Sequence, residues 1–317
     1  MKTIAGSIVA LVTPFRDDVN QTINFQQLEK LVAYHAENGT SAIVPCGTTG
    51  ESPTLTPEEH IEVIRCVVNA AKGTRLQVIA GTGSNSTQEA LHFTQEAREA
   101  GADACLIVVP YYNKPTPEGL LAHFKALDTL DIPLILYNIP GRTGINVIPT
   151  DIIRIAQECK NMVGLKASNG DLDQITESVY LSHPLGRPFS VLSGDDSITL
   201  PIMAVGGTGV ISVAANLMPK VMSQLVSSFA RHRVEEAQQI NWAIHAFCKA
   251  MLSFGANPMG IKAAMNKAGL AAGGCRLPLT SLTEDKTSQL VKIAGDMRVQ
   301  LQSLDIAYDA YLDTLVG

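Results

Sequence analysis

The sequence places one lysine, Lys166, at the end of a short apolar run that reads MVGLKAS over residues 162–168. Lysine side chains usually extend their ammonium groups into water, so a solvated strand end is the ordinary interpretation of this residue taken alone. An amine held above an apolar interior, with no carboxylate beside it in the sequence, can instead attack a carbonyl carbon. Lys166 is therefore a candidate for Schiff-base chemistry if other suitable side chains converge on it.

Hydroxyl-bearing residues follow several other apolar runs of the chain. Tyr137 lies at the end of one run, and Tyr111 and Tyr112 follow another. Thr48 and Thr49 lie in the turn GTTGES. Hydroxyls can relay protons while an amine adds to a carbonyl and water leaves, and the turn can present backbone N–H groups to a carboxylate. Glycine-rich turns and aromatic pairs more often serve packing, but their convergence with the lysine favours a small 2-oxo acid as substrate.

Eight short apolar runs must position these residues. They are SIVALV (7–12), AIVPC (42–46), QVIAG (77–81), CLIVV (105–109), LILYN (134–138), MVGLK (162–166), SVLS (190–193) and GVISV (209–213). Amphipathic segments with helical spacing separate them, as expected for a parallel sheet covered by helices. The pattern predicts an α/β protein with a (β/α)8 TIM barrel over 1–224 and a C-terminal helical region over 225–317. A doubly wound open sheet is the second choice.

Composition narrows the class of partner. The 317 residues carry a formal net charge of -6 with dispersed basic residues, which argues against nucleic acid or an anionic membrane as a partner. The six cysteines form no CxxC pair and the seven histidines form no HExxH motif, so no metal site is predicted. The apolar run after Lys2 is short and lacks a cleavage pattern, so we interpret it as the first strand rather than as a signal peptide. A cytoplasmic location is expected.

Six motifs, spread in order over the barrel, carry a family resemblance. They are GTTGES (47–52), PYYNKP (110–115), YNIPGRTG (137–144), GLK (164–166), LSGDD (192–196) and GVISVAAN (209–216). The chain resembles the pyruvate-dependent class I aldolase superfamily and, within it, the dihydrodipicolinate synthase family. The resemblance implies a cofactor-free condensation of pyruvate with L-aspartate 4-semialdehyde, the first committed step of the diaminopimelate route to lysine.

The resemblance also implies roles for residues around the barrel mouth. Lys166 resembles the lysine that condenses with pyruvate, and Tyr137 the tyrosine that assists imine formation. Thr48 would link Tyr137 to Tyr112, which in this family reaches the site from the neighbouring subunit of a tight dimer. The residues that would bind or shape the pocket around the two substrates are Thr49, Gly194 and Ile211 for pyruvate, and Arg142 for the carboxylate of the semialdehyde.

Two further properties follow from the same resemblance. The assembly implied is a homotetramer built from two tight dimers. Lysine-regulated members bind L-lysine as an inhibitor at the tight dimer interface, where Pro57 stands in this chain at a position that is histidine in many of them. The residues that match this allosteric site are Ser52, His60, Asn85, Glu89 and Tyr111.

The chain departs from the family after its lysine, and alternatives stay open. The family usually has an acid directly after the lysine, whereas here the sequence continues Ala167-Ser168-Asn169-Gly170. A sister enzyme, such as N-acetylneuraminate lyase or a 2-keto-3-deoxy sugar acid aldolase, would keep the lysine and the tyrosine, although Arg142 and the YYNKP motif argue against a sugar acid. A catalytically silent barrel that binds a ligand is the other alternative, but it has no need of an imine-forming amine.

Overall fold

The computed structural model describes residues 3–317, and within them eight strands form one closed parallel sheet. All eight predicted strands are confirmed, with ends that differ from the predicted ones by at most two residues. Lys2, which precedes the first run, lies outside the described residues. The strands are β1 (Gly6–Ala10), β2 (Ala42–Val44), β3 (Gln77–Gly81), β4 (Ala104–Val108), β5 (Leu134–Asn138), β6 (Met162–Ala167), β7 (Ser190–Ser193) and β8 (Gly209–Ser212).

The sheet closes because β1 pairs with β2 on one side and with β8 on the other. Strand order follows chain order around the barrel, so the predicted TIM barrel is confirmed and the open doubly wound sheet is wrong. Branched apolar side chains such as Ile8, Val44, Ile79, Leu106 and Ile135 fill the interior. The interior of the barrel is therefore a packed core. Side chains that can react with a substrate are expected at the carboxyl ends of the strands.

Helices cover the outside of the barrel, and local sequence explains where several begin. Thr56 and Thr116 accept hydrogen bonds from backbone N–H groups three residues later, and a proline follows each threonine at the first helical position. The helices up to the end of the barrel are α1 (Phe25–Glu37), α2 (Pro57–Ala71), α3 (Thr87–Ala100), α4 (Pro117–Asp128), α5 (Pro140–Thr143), α6 (Pro149–Glu158), α7 (Leu172–Ser182), α8 (Thr199–Ala204) and α9 (Pro219–Ala230).

The chain after α9 is helical and packs against the barrel. It contains α10 (Val234–Ser253), α11 (Met259–Lys267), α12 (Glu284–Ser303) and α13 (Tyr311–Val316). The boundary predicted between residues 224 and 225 lies inside α9, which packs on β1 and β8. The segment that joins α10 to α11 lies over the carboxyl end of the barrel and lines its cavity with Ala256 and Asn257. No helix within residues 3–317 is long and apolar enough to cross a membrane.

Candidate active site

Lys166 and Tyr137 face one another on adjacent strands. Lys166 lies in β6 and Tyr137 in β5, and the two residues are partners in the parallel ladder. Each residue is only 5% exposed, and Lys166 Nζ lies 4.1 Å from the centre of the Tyr137 ring. No ion pair among residues 3–317 includes Lys166. The structure thus places an amine without a carboxylate partner directly beside a phenol ring.

The GTTGES turn follows β2 and is held in a tight conformation. The N–H of Gly50 donates to the carbonyl of Gly47 at 3.0 Å, and Thr13 Oγ1 donates to the carbonyl of Gly50 at 2.7 Å. A Cβ on Gly81, at the end of β3, would overlap the carbonyl of Cys46, so the close approach of the turn to β3 requires glycine there. This packing directs Thr48 and Thr49 into the cavity at the barrel mouth.

Asn257 joins two of the predicted substrate-binding residues. Its Nδ2 donates to Thr49 Oγ1 at 2.9 Å, and its carbonyl oxygen lies 3.5 Å from Arg142 Nη2. Arg142 projects from α5, the short helix that directly follows β5. Sequence reasoning did not select Asn257, because an Asn-Pro pair after a helix indicates only a turn. The structure makes Asn257 a residue that positions Thr49 and Arg142.

Gly194 provides space beside the lysine. A Cβ at this position would lie 3.0 Å from Lys166 Cε and would overlap Ser168 Oγ. The Gly194 N–H donates to the Ala167 carbonyl at 2.7 Å, which continues the pairing of β6 with β7 beyond the last strand residue of β7. Only glycine can therefore stand between β7 and the lysine without displacing one of these side chains.

A cavity of about 240 Å³ at the carboxyl ends of the strands collects most of the predicted residues. The predicted residues that line it are Lys166, Tyr137, Thr48, Thr49, Arg142 and Gly194. Ile211 packs with the apolar side chains of the barrel interior, and Val213 lines the cavity further along the same segment.

Tyr112 points outward and is 90% exposed, with a left-handed backbone at φ 70°. The fold of one chain therefore assembles the lysine and its neighbours but leaves Tyr112 at the surface.

Asp196, the last residue of the LSGDD motif, is buried and has a structural role. Its Oδ2 accepts hydrogen bonds from the N–H groups of Val213 and Ala214, both at 3.0 Å. Burial raises the pKa of this carboxyl above its ordinary value, and the hydrogen bonds from Ser212 and Ala214 oppose the shift. Asp196 holds the end of β8 in place and thereby positions Val213 in the cavity wall.

A second buried lysine, which sequence reasoning did not select, lies behind the GTTGES turn. Lys262 Nζ forms an ion pair with Glu51 Oε1 at 2.5 Å and donates to the carbonyl of Gly274 at 2.8 Å. Each of the two charged residues is 2% exposed. Burial lowers the pKa of Lys262, and Glu51 opposes that shift. The pair ties the turn that carries Thr48 and Thr49 to α11.

A separate cavity of about 210 Å³ collects most of the predicted allosteric residues. Ser52, His60, Glu89 and Tyr111 line it, whereas Asn85 lies beside it and accepts a hydrogen bond from Asn113 Nδ2 through its carbonyl at 2.8 Å. The His60 ring is buried, stacks on Phe93 at 4.2 Å and lies 2.8 Å, through Nε2, from the Gly81 carbonyl. Burial lowers the pKa of His60, so the ring is neutral near pH 7.

The fold and the site define the class of protein. A buried amine beside a phenol at the mouth of a (β/α)8 barrel is the arrangement of an enzyme of the class I aldolase type, which forms a Schiff base with a carbonyl substrate. No group of three or more His, Cys, Asp or Glu side chains in the described part of the chain is arranged to hold a metal ion.

Comparisons with known proteins identify the family. The model of the dihydrodipicolinate synthetase family matches residues 3–296, and the chain belongs to this family. The 4-hydroxy-tetrahydrodipicolinate synthase of Citrifermentans bemidjiense is 48% identical over 295 residues, which cover 93% of this chain and 99% of that protein. The family predicted from the six motifs is confirmed.

Solved structures agree with this assignment. The crystal structure of dihydrodipicolinate synthase from Aquifex aeolicus is 44% identical with a TM-score of 0.86, and the match covers 96% of this chain and 100% of that chain. The crystal structure of the Cyanidioschyzon merolae enzyme with lysine bound is 41% identical with a TM-score of 0.88, and the match covers 93% and 98% of the two chains.

Proposed function

We propose that this enzyme condenses pyruvate with L-aspartate 4-semialdehyde to give 4-hydroxy-tetrahydrodipicolinate, the first committed step of the diaminopimelate route to lysine. The observation that carries the proposal is the Lys166 amine, which is buried at the barrel mouth 4.1 Å from the Tyr137 ring. Membership of the family supports the choice of both substrates. The reaction needs no cofactor, because the protonated imine itself draws electrons from the pyruvate carbons.

The first half of the reaction builds the imine. Lys166 Nζ adds to the C2 carbonyl of pyruvate, and the carbinolamine then loses water. A proton must move from the nitrogen to the departing hydroxyl group, and we assign this relay to the hydroxyl of Tyr137, whose ring lies beside that nitrogen. Thr48 lines the same cavity, and we assign its hydroxyl to the next step of the relay after Tyr137. Loss of a methyl proton converts the imine to an enamine, whose terminal carbon attacks the aldehyde.

The two carboxylates of the substrates need separate binding groups. The GTTGES turn, with Thr49 at its centre, offers N–H and hydroxyl donors close to Lys166 for the pyruvate carboxylate. We assign Gly194 to the wall beside the methyl group, and Ile211, from the barrel core beneath, to the shape of the pocket. Arg142 lines the same cavity and offers a planar guanidinium to the carboxylate of the semialdehyde.

A substrate comparison tests this proposal against the sister aldolases. We expect purified protein to consume pyruvate with L-aspartate 4-semialdehyde much faster than it cleaves N-acetylneuraminate or a 2-keto-3-deoxy sugar acid. Product formation from the semialdehyde can be followed by absorbance after coupling to the next reductase. Faster cleavage of either sugar acid would assign the chain to a sister activity, and binding of pyruvate without any turnover would leave only the silent barrel.

We also propose that the active site is completed across a subunit interface. The Tyr112 side chain projects away from its own chain, and its strained backbone fixes that direction. A tyrosine presented in this way can supply a hydroxyl to the Thr48 and Tyr137 relay of a neighbouring subunit. A shared site requires at least a tight dimer. The homotetramer that the family resemblance implies and the cytoplasmic location stay predictions.

Mixing two inactive variants tests the shared site. Subunits of Lys166→Ala and Tyr112→Ala, dissociated and reassembled together, should form mixed dimers in which one site has both an intact lysine and the partner subunit's Tyr112. Random reassortment should then restore roughly a quarter of the wild-type rate. Lys166→Ala reassembled with itself is the control. Failure of the mixture to exceed the sum of the two variants would mean that Tyr112 does not cross between subunits.

The second cavity is proposed as an inhibitory site for L-lysine. Glu89 can accept from the α-ammonium group of an amino acid, and the Tyr111 hydroxyl can donate to its carboxylate. His60 is neutral and already held by the Gly81 carbonyl, so it contributes shape and a polar surface rather than charge. Tyr111 adjoins Tyr112, which gives ligand binding a direct route to the proton relay.

Initial rates measured against L-lysine concentration test this site. Wild-type enzyme should be inhibited in the millimolar range or below, and Glu89→Gln should lose most of that inhibition because an amide cannot replace the carboxylate as a partner for an ammonium group. Glu99→Gln, on the exposed far end of α3, is the matched control and should behave as wild type. Unchanged inhibition of Glu89→Gln would show that this cavity is not the site at which L-lysine inhibits the enzyme.

A further inference from the structure

Ser168 stands two residues beyond the lysine on the same strand path. Side chains two residues apart on an extended strand point to the same face, so Ser168 points into the mouth as Lys166 does. Its N–H donates to the Asn138 carbonyl at 2.9 Å, which continues the ladder between β5 and β6 past the end of β6. Ser168 therefore lies above Lys166, nearer to the open end of the cavity that both residues line.

The Ser168 hydroxyl is buried and has no hydrogen-bond partner within the described chain. A buried hydroxyl without a partner is costly, and such groups in a cavity wall are candidates for ligand contacts. The absence of a side chain at Gly194 makes room for it, since a Cβ there would overlap Ser168 Oγ and would lie 3.0 Å from Lys166 Cε. Ser168 Oγ and the end of the lysine side chain are thus packed around the same point.

We propose that the Ser168 hydroxyl binds the aldehyde oxygen of the second substrate and stabilises it as the new carbon–carbon bond forms. This inference rests on the proposed function and deepens it. The acceptor must approach the enamine from the open end of the cavity, which is the level at which Ser168 lies. Thr49, another hydroxyl of the mouth, is assigned to the pyruvate carboxylate, whereas Ser168 Oγ has no partner within the described chain and is free to donate.

The chemistry of the step calls for a donor at this place. When the enamine carbon attacks the aldehyde carbon, the carbonyl electron pair moves onto the oxygen, and the proton lost earlier from the pyruvate methyl group neutralises it. A neutral hydroxyl that points at this oxygen stabilises the charge while it develops. It does so without adding a carboxylate that would pair with the Lys166 amine.

A pair of serine variants tests the inference. Ser168→Ala should lower kcat/KM for L-aspartate 4-semialdehyde by roughly ten- to a hundredfold. It should leave the extent of borohydride trapping with pyruvate alone within about twofold of wild type, because imine formation precedes the contact. Ser7→Ala is the matched control, since its hydroxyl is also buried without a partner in the described chain but lies near the start of β1, away from the cavity. It should leave both measurements unchanged.

The outcomes separate this inference from the function on which it rests. Retention of wild-type kcat/KM by Ser168→Ala overturns the contact with the aldehyde while the proposed function stands. A parallel loss of pyruvate trapping would also overturn it, because Ser168 would then act on the lysine. A wild-type enzyme that traps pyruvate but does not turn over the semialdehyde contradicts the proposed function, and the inference falls with it.

Discussion

Lys166→Ala is expected to lower the rate of condensation by at least about three orders of magnitude while the protein stays folded. In the proposed mechanism this amine makes the covalent bond to pyruvate, and the side chains around it cannot replace it. Lys262, the other buried lysine, is held by Glu51 and the Gly274 carbonyl behind the GTTGES turn. Steady-state rates with both substrates, together with circular dichroism of the variant, measure the effect.

The control for this variant is Lys160→Ala. Lys160 lies on the surface, where it pairs with Asp131, so its loss should leave turnover unchanged. A folded Lys166→Ala variant that keeps more than a few per cent of wild-type turnover would contradict the covalent mechanism. Loss of turnover together with loss of the circular dichroism signal would call for Lys166→Met, which retains the volume of the side chain without the amine.

The second large effect is expected at Arg142. Arg142→Ala should weaken transition-state binding of the semialdehyde by about 2–4 kcal/mol, because the variant leaves the carboxylate of the substrate in the cavity without its guanidinium partner. The corresponding fall in kcat/KM for this substrate is roughly thirty- to a thousandfold. Pyruvate should be trapped as well as in the wild type, because we assign its carboxylate to the GTTGES turn and not to Arg142.

Arg142→Lys separates charge from geometry. A lysine keeps the positive charge but cannot bind a carboxylate through two parallel N–H groups, so we expect a loss between those of wild type and Arg142→Ala. Unchanged kinetics for the semialdehyde in Arg142→Ala would refute the role of the guanidinium. An equal loss of pyruvate trapping would show that Arg142 binds the first substrate instead.

Much of the barrel could be predicted because the signals are local. Each strand is a short apolar run, and helices α2 and α4 begin at Thr-Pro pairs whose threonine side chains cap them in the structure. Since the carboxyl ends of barrel strands converge, the position of Lys166 at the end of β6 and of Tyr137 in β5 was enough to predict that they meet. The hydrogen-bonded ladder places them as partners.

The rest of the site depends on contacts that no local pattern encodes. Asn257 reaches Thr49 across 208 residues of sequence, and only the path of the chain after α10 brings them together. Lys262 belongs to the sequence IKAAMNK, where a lysine is most simply interpreted as solvated, yet it is buried against Glu51. The free hydroxyl of Ser168 is likewise visible only when the space beside Gly194 is known.

Borohydride reduction in the presence of pyruvate, followed by mass analysis of the peptides, tests the central claim most directly. We predict one modified peptide that contains Lys166, heavier by about 72 Da for a reduced pyruvate imine, and no modification when pyruvate is left out. A modification at Lys262 or any other lysine would contradict the assignment of Lys166 as the Schiff-base residue. The absence of any modified peptide in the presence of pyruvate would contradict it as well.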